Sequence, residues 1–169
     1  MAVGRDELCA VLDSELRVPA FNDYCPNGLQ VEGRSDIKVM VSGVTACQAL
    51  LDKAVELDAD AVLVHHGYFW RGEDSRLVGM KAQRVKTLLE ADINLFAYHL
   101  PLDCHPTLGN NAGLAREMGL QEWQGIDPDN TTYPVFCGTF DEGTHLSAVV
   151  ARLEHELKRE ALVVGDPDA

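Results

Sequence analysis

Apolar residues recur with two alternating rhythms along the first hundred or so positions, and each switch of rhythm predicts an element. Leu8, Val11, Leu12 and Leu16 stand at the spacing of one helix face, so residues 6–16 read as a helix. Pro19 and the Tyr24-Cys25-Pro26-Asn27-Gly28 cluster close it. Asn27-Gly28 is a strong turn signal, and Leu29-Gln30-Val31-Glu32 leaves it alternating like a strand. Residues 37–44 are rich in β-branched side chains and predict one continuous strand. A helix follows in which Leu50, Leu51, Ala54 and Val55 share a face. Residues 60–64 form a short, mostly apolar run of the kind a strand covered on both sides requires. Val85, Leu88 and Leu89 mark the next helix, residues 93–98 the next strand, and residues 110–118 a helix that stops at Gly119.

This β-α-β-α-β-α order predicts an α/β fold: a parallel or mixed sheet with right-handed crossovers and helices on both faces. The rest is less regular. Residues 121–134 are polar and read as irregular, residues 135–140 as a strand, and residues 144–159 as a helix with Leu146, Val149, Val150, Leu153 and Leu157 in phase. Ala161-Leu162-Val163-Val164 reads as the start of another buried strand.

Composition narrows the functional classes. The 169 residues carry 14 Lys+Arg against 27 Asp+Glu, a formal net charge of −13, and 46% are hydrophobic. Such a chain is expected to be globular, and its mean field repels a nucleic-acid backbone. The N-terminus meets acidic residues before any apolar run, and no stretch approaches the length of a membrane span, so neither a signal peptide nor a membrane partner is expected. Five widely spaced cysteines without a C-x-x-C pair suit reduced thiols in the cytoplasm.

In open α/β sheets ligands bind beyond the carboxyl ends of the parallel strands. Two strands run there into His65-His66-Gly67 and His99-Leu100-Pro101-Leu102-Asp103-Cys104-His105, which hold four of the six histidines. Imidazoles with a carboxylate suit zinc, iron, manganese, nickel or cobalt. Neighbours such as His65 and His66 do not easily share one ion, which makes a pair of ions natural, and Gly67 frees the backbone to turn. Two readings fit the pair at this point: metal ligands, or hydrogen-bonded loop histidines. Asp103 follows Pro101 in an expected rigid turn and is either an anionic ligand or the cap of a turn or helix. His99 and His105 are candidates to support the ligands or face a substrate, and each is equally a residue locked by a structural hydrogen bond. The sequence pattern sets no specific base against Cys104, and buried thiols are usually inert, which argues against a nucleophile. Tyr68-Phe69-Trp70 either roof a pocket or pack in the core. No phosphate-binding glycine motif is present.

The ordered series Asp23-Tyr24-Cys25-Pro26-Asn27-Gly28-Leu29-Gln30-Val31-Glu32-Gly33, Val41-Ser42-Gly43-Val44-Thr45-Ala46, Val64-His65-His66-Gly67-Tyr68-Phe69-Trp70, His99-Leu100-Pro101-Leu102-Asp103 and Gly109-Asn110-Asn111 resembles the Nif-three-like dinuclear metal-centre family. These proteins are also known as GTP cyclohydrolase I type 2 homologues, and the likeness is to the YbgI-type bacterial members. It runs from Asp6 to about Gly165.

The resemblance implies two divalent metal ions, with His65, His66 and Asp103 matching three ligands, and His99 matching a motif residue not carried over as a ligand. It also implies a ring-shaped homo-oligomer. The family's remaining ligands, a His and a Glu four residues apart, have no counterpart: the residues four beyond His105, His145 and His155 are Gly109, Val149 and Arg159. Residues 1–169 are therefore expected to be the first half and a little more of a two-half fold, either a fragment or a truncated product. The function expected is a metal-dependent, hydrolase-like activity on an unknown substrate. The alternatives are a non-catalytic metal-binding interaction or regulatory protein, and an inactive fragment.

Overall fold

Residues 2–166 are described in a computed structural model of the chain. The chain divides into two compact units, Met1–Leu102 and Asp103–Ala169. No described helix is long and apolar enough to cross a membrane.

The first unit is built on a four-stranded mixed sheet. In chain order its elements are β1 (Val3–Gly4), α1 (Arg5–Glu15), β2 (Gly28–Val31), β3 (Asp36–Ile37), β4 (Met40–Thr45), α2 (Gln48–Glu56), β5 (Ala61–His66), α3 (Gly79–Glu90) and β6 (Asn94–Ala97). The order across the sheet is β2-β6-β5-β4, with β4, β5 and β6 parallel and β2 antiparallel to β6. Strand side chains alternate between faces, and the two central strands show it directly. Val62, Val64, Leu95 and Ala97 enter one buried cluster with Leu51 and Ala54 of α2 and Val85 and Leu88 of α3. Ala61, Phe96 and Tyr98 enter the other with Leu16, against which Leu8 and Leu12 of α1 pack. Helices thus cover both faces, as the apolar runs of β5 and β6 require.

Several local expectations shift. Val11 is 59% exposed. At about 100° per residue it points away from the Leu8-Leu12-Leu16 stripe, and Cys9 packs in its stead. Val55 and Leu89 are exposed for the same reason, leaving Leu51, Ala54, Val85 and Leu88 as the buried positions. The strand expected over residues 37–44 is broken. The N–H groups of Lys38 and Val39 donate to Asp60 Oδ2, at 2.7 and 2.9 Å, rather than to a ladder. β3 instead pairs with β1.

Asp60, 7% exposed, also takes Arg34 at 2.8 Å on Oδ1. Burial alone would raise its carboxyl, but the Val39 and Lys38 N–H groups and the Arg34 guanidinium outweigh that and hold it below the usual range. Fully buried Asn94 joins the network by donating to the carbonyls of Arg34 and Asp60. This polar clamp ties together the amino ends of β5 and β6, at the opposite edge from the histidines.

α4 (Leu100–Cys104) carries the chain into the second unit, where residues expected as a rigid turn form a short helix. Then come α5 (Asn110–Met118), β7 (Gln121–Gly125), β8 (Phe136–Thr139) and α6 (Leu146–Leu157). α5 ends at Gly119, whose φ of +79° is the left-handed cap conformation glycine supplies. β7 and β8 pair antiparallel. Residues 161–164, expected as a buried strand, are irregular, with Leu162 and Val164 exposed. Apolar character alone does not make a strand, which exists only where a neighbour takes up its N–H and C=O groups.

Candidate metal centre

Because β5 and β6 run parallel, their carboxyl ends open on one edge of the sheet. His65 and His66 end β5, and His99 follows β6. The three imidazoles meet there, with ring centroids 4.3 Å apart for His65–His66, 5.0 Å for His65–His99 and 5.7 Å for His66–His99. One ligand atom from each lies within 4.8 Å of the other two.

Hydrogen bonds set two of the rings. His65 Nδ1 lies 3.1 Å from the Tyr98 carbonyl oxygen. A carbonyl only accepts, so Nδ1 carries the proton and the neutral ring presents its lone pair at Nε2. His99 Nδ1 lies 2.8 Å from Asp23 Oδ1, which fixes the same tautomer when the ring is neutral. His66 Nδ1 contacts Thr45 Oγ1 at 3.3 Å.

Asp23 is the organising residue behind His99. Its Oδ1 also takes the Tyr24 N–H, and its Oδ2 takes Asn27 Nδ2 and the Leu100 N–H. Burial pushes this carboxyl up, but the hydrogen bonds from Asn27, His99, Leu100 and Tyr24 prevail and leave it below its ordinary value. Asn27 Oδ1 accepts the His99 N–H at 2.7 Å, so the residue 23–27 loop clamps both the ring and the backbone of His99. Asp23, Cys25 and His99 form a second grouping of possible ligands. Both Asp23 oxygens are already engaged and the buried Cys25 thiol is pushed up to about 11, so the three-histidine group is the better donor set.

The loop after the histidines is packed tightly. Gly67 is needed for space rather than for backbone freedom: a Cβ there would sit 2.7 Å from the Ala97 Cβ and collide with the Gln30 side-chain amide. That amide oxygen accepts the Tyr68 N–H at 2.7 Å. The Tyr68 hydroxyl, which burial pushes up to about 12, donates to the Ala46 carbonyl. Phe69 has φ +65°, a conformation bulky side chains rarely hold. Trp70 stands edge-on to His99 and His66, with centroids 4.9 and 5.9 Å away.

Asp103 lies in α4 and accepts a hydrogen bond from Asn110 Nδ2 at 2.9 Å. It belongs to neither grouping among the described residues. His105 Nδ1 accepts the Thr107 and Leu108 N–H groups, which is a turn-closing role. Cys104 is buried. His145 precedes α6, and His155 pairs with Glu156 at its end. Sequence reasoning passed over Asp23 and Asn27. They lie in a quoted family motif, but nothing in local spacing ties Asp23 to a histidine 76 residues away.

Fold and site together define the class: a mixed-sheet α/β protein with an imidazole cluster at the carboxyl ends of its parallel strands. The chain belongs to the Duf34/NIF3 (NGG1p interacting factor 3) family, whose model matches residues 3–169. Proteins named GTP cyclohydrolase 1 type 2 homolog from Pasteurella multocida and Yersinia pestis are 51% and 54% identical to it over 160 residues, which are 95% of this chain and 63% of each of theirs. Among solved structures, protein ybgI, of unknown function, matches with a TM-score of 0.87 at 47% identity, over 95% of this chain and 63% of that one. TTHA1606 from Thermus thermophilus matches with a TM-score of 0.84 at 40% identity, over 95% and 64%. The chain thus spans under two thirds of the length of these relatives, and the resemblance read from its motifs holds.

Proposed function

We propose that this chain contributes to a divalent-metal centre that supports a hydrolase-like reaction. The observation that carries this reading is the convergence of His65, His66 and His99, with Nδ1 of two rings tied to Tyr98 and Asp23 so that the neutral rings carry their lone pair on Nε2. Borderline nitrogen donors backed by a carboxylate or a carbonyl suit zinc, iron, manganese, nickel or cobalt. The donor set therefore fits the group that the family resemblance implies. His65 and His66 are the primary ligands proposed, His99 joins them by geometry, and the candidacy of Asp103 rests on the His99-to-Asp103 motif. The family's His and Glu four residues apart have no counterpart here, so the proposal concerns what these residues contribute.

His65, His66 and His99 would hold divalent ions, which would supply Lewis-acid activation of a water and of a carbonyl or phosphoryl oxygen. The chain's own residues orient and shield. Asp23 and Asn27 fix the ring and backbone of His99, Tyr98 fixes His65, and Trp70 covers the imidazole edge. The name of the relatives mentions GTP, but the substrate here is left as a hydrolysable carbonyl, amidine or phosphoryl compound.

Five cysteines outside any disulfide and the acidic charge support a cytoplasmic setting, and the resemblance supports a homo-oligomer, which sedimentation tests. Elemental analysis tests the centre: metal bound by the wild type should fall in His65→Ala, His66→Ala and His99→Ala, whereas equal metal in all overturns it. A hydrolysis screen of the metal-loaded protein separates the enzyme from a metal-binding protein without turnover.

A further inference from the structure

His66 and Trp70 face a second feature besides the imidazole cluster. A cavity of about 400 Å³ opens beside them, within the range of small-molecule sites, and Tyr68, Glu73, Lys81 and Arg84 also line it. In a chain of net charge −13, this hollow concentrates two cations against one carboxylate. The cations differ in status. Lys81 is spoken for: its Nζ lies 3.1 Å from Glu73 Oε2, donates to the Asp74 carbonyl and sits 5.2 Å from the Phe69 ring centroid. Arg84 is not. Its Nε is buried with no hydrogen-bond partner among the described residues.

Arg84 brings a planar donor fork to the cavity lining, and such a fork suits an oxyanion bound through two oxygens. Beside it, Trp70 offers an aromatic surface, and stacking on such a surface favours a planar ring. We propose that this cavity is a ligand subsite for a planar aromatic molecule bearing an oxyanion, with Arg84 taking the anion and Trp70 the ring. The subsite deepens the metal-centre reading, on which it rests only for the role of the ligand as substrate. Binding itself follows from Arg84 and Trp70. A phosphoryl or carboxylate group held by Arg84 would leave the ring beside His66.

Phenyl phosphate is the probe, with phenol and inorganic phosphate as its separate halves. The titration follows Trp70 fluorescence in a Trp123→Phe background, since the chain has two tryptophans, and is run in chelator so that metal cannot take the phosphoryl group. Phenyl phosphate should quench Trp70 and bind more tightly than either half. Arg84→Gln should weaken it at least tenfold, and Arg84→Lys should recover part of the loss. Circular dichroism identifies any variant that fails to fold, in which case Arg84→Lys alone decides, with at least a threefold loss expected. Unchanged affinity in a folded Arg84 variant overturns the proposal, as does absence of wild-type binding or affinity no better than that of inorganic phosphate. Loss of the metal reading, judged by elemental analysis, leaves these chelator titrations unaffected, so the two can fail separately.

Discussion

Asp23 Oδ1 lies 2.8 Å from His99 Nδ1, and the remaining acceptor positions of this carboxylate hold Asn27 and the N–H groups of Tyr24 and Leu100. The pair joins a loop before β2 to the residue after β6, so the orientation of one imidazole is set from another part of the chain. Carboxylates in this position behind a ligating histidine fix its tautomer and raise its basicity.

Replacing Asp23 should therefore be felt at the proposed metal centre. Asp23→Asn keeps the volume but removes the charge, and should weaken metal binding by about 10- to 100-fold, the usual effect of losing such a partner. Titration with cobalt, followed by its absorption bands, measures this. Unchanged affinity together with an unchanged spectrum would show that His99 stands outside the centre.

The opposite edge of the sheet provides a stability test. Arg34→Ala leaves Asp60 buried without its cation and should destabilise by about 2–3 kcal/mol, below the value for a fully buried pair because Arg34 is one-third exposed. The Asp60 carboxyl is depressed in the fold. Its contribution is thus complete above the ordinary carboxylate value of about 3.9 and disappears as pH falls through the lower folded value. Urea unfolding across that acid range should show a slope in the wild type that flattens in Asp60→Asn. Parallel curves for the two proteins would remove Asp60 as its source.

Gly67→Ala should cost about 1–3 kcal/mol, because the new methyl group meets Ala97 and Gln30 in a packed corner. Thermal unfolding checks this. A melting temperature equal to that of the wild type would mean that the loop can move aside, and the histidine cluster would then be less rigidly held than its contacts imply.

The elements legible in the sequence are those whose apolar period survives intact. β5 and β6 are of that kind, and between them they bring His65, His66 and His99 to the sheet edge. β7, written Gln121-Glu122-Trp123-Gln124-Gly125, has no such pattern, because its strand character comes from pairing with β8 rather than from burial. The break after Ile37 was illegible for a different reason: the acceptor that captures Lys38 and Val39 is a side chain 22 and 21 residues later, respectively. The same limit applies to the site. Adjacent histidines after a strand can be seen locally, whereas the support of His99 by Asp23 and Asn27 exists only once the sheet brings distant segments together.

The cysteines give a last, chemical test of how tightly that support is packed. Cys25 is 8% exposed, and burial, with the Asp23 carboxylate nearby, pushes its thiol up to about 11. At pH 8 roughly one part in a thousand is thiolate, the nucleophilic form. Cys137 is exposed. A disulfide reagent should therefore label Cys137 first and leave Cys25 unmodified until the protein is unfolded, as peptide mapping of partly labelled material would show. In Asp23→Asn the negative neighbour is gone but the burial remains, so Cys25 should stay protected unless the loop has opened. Labelling of Cys25 in that variant, with Cys137 unchanged in rate, would locate the structural role of Asp23 in closing residues 23–27 over His99.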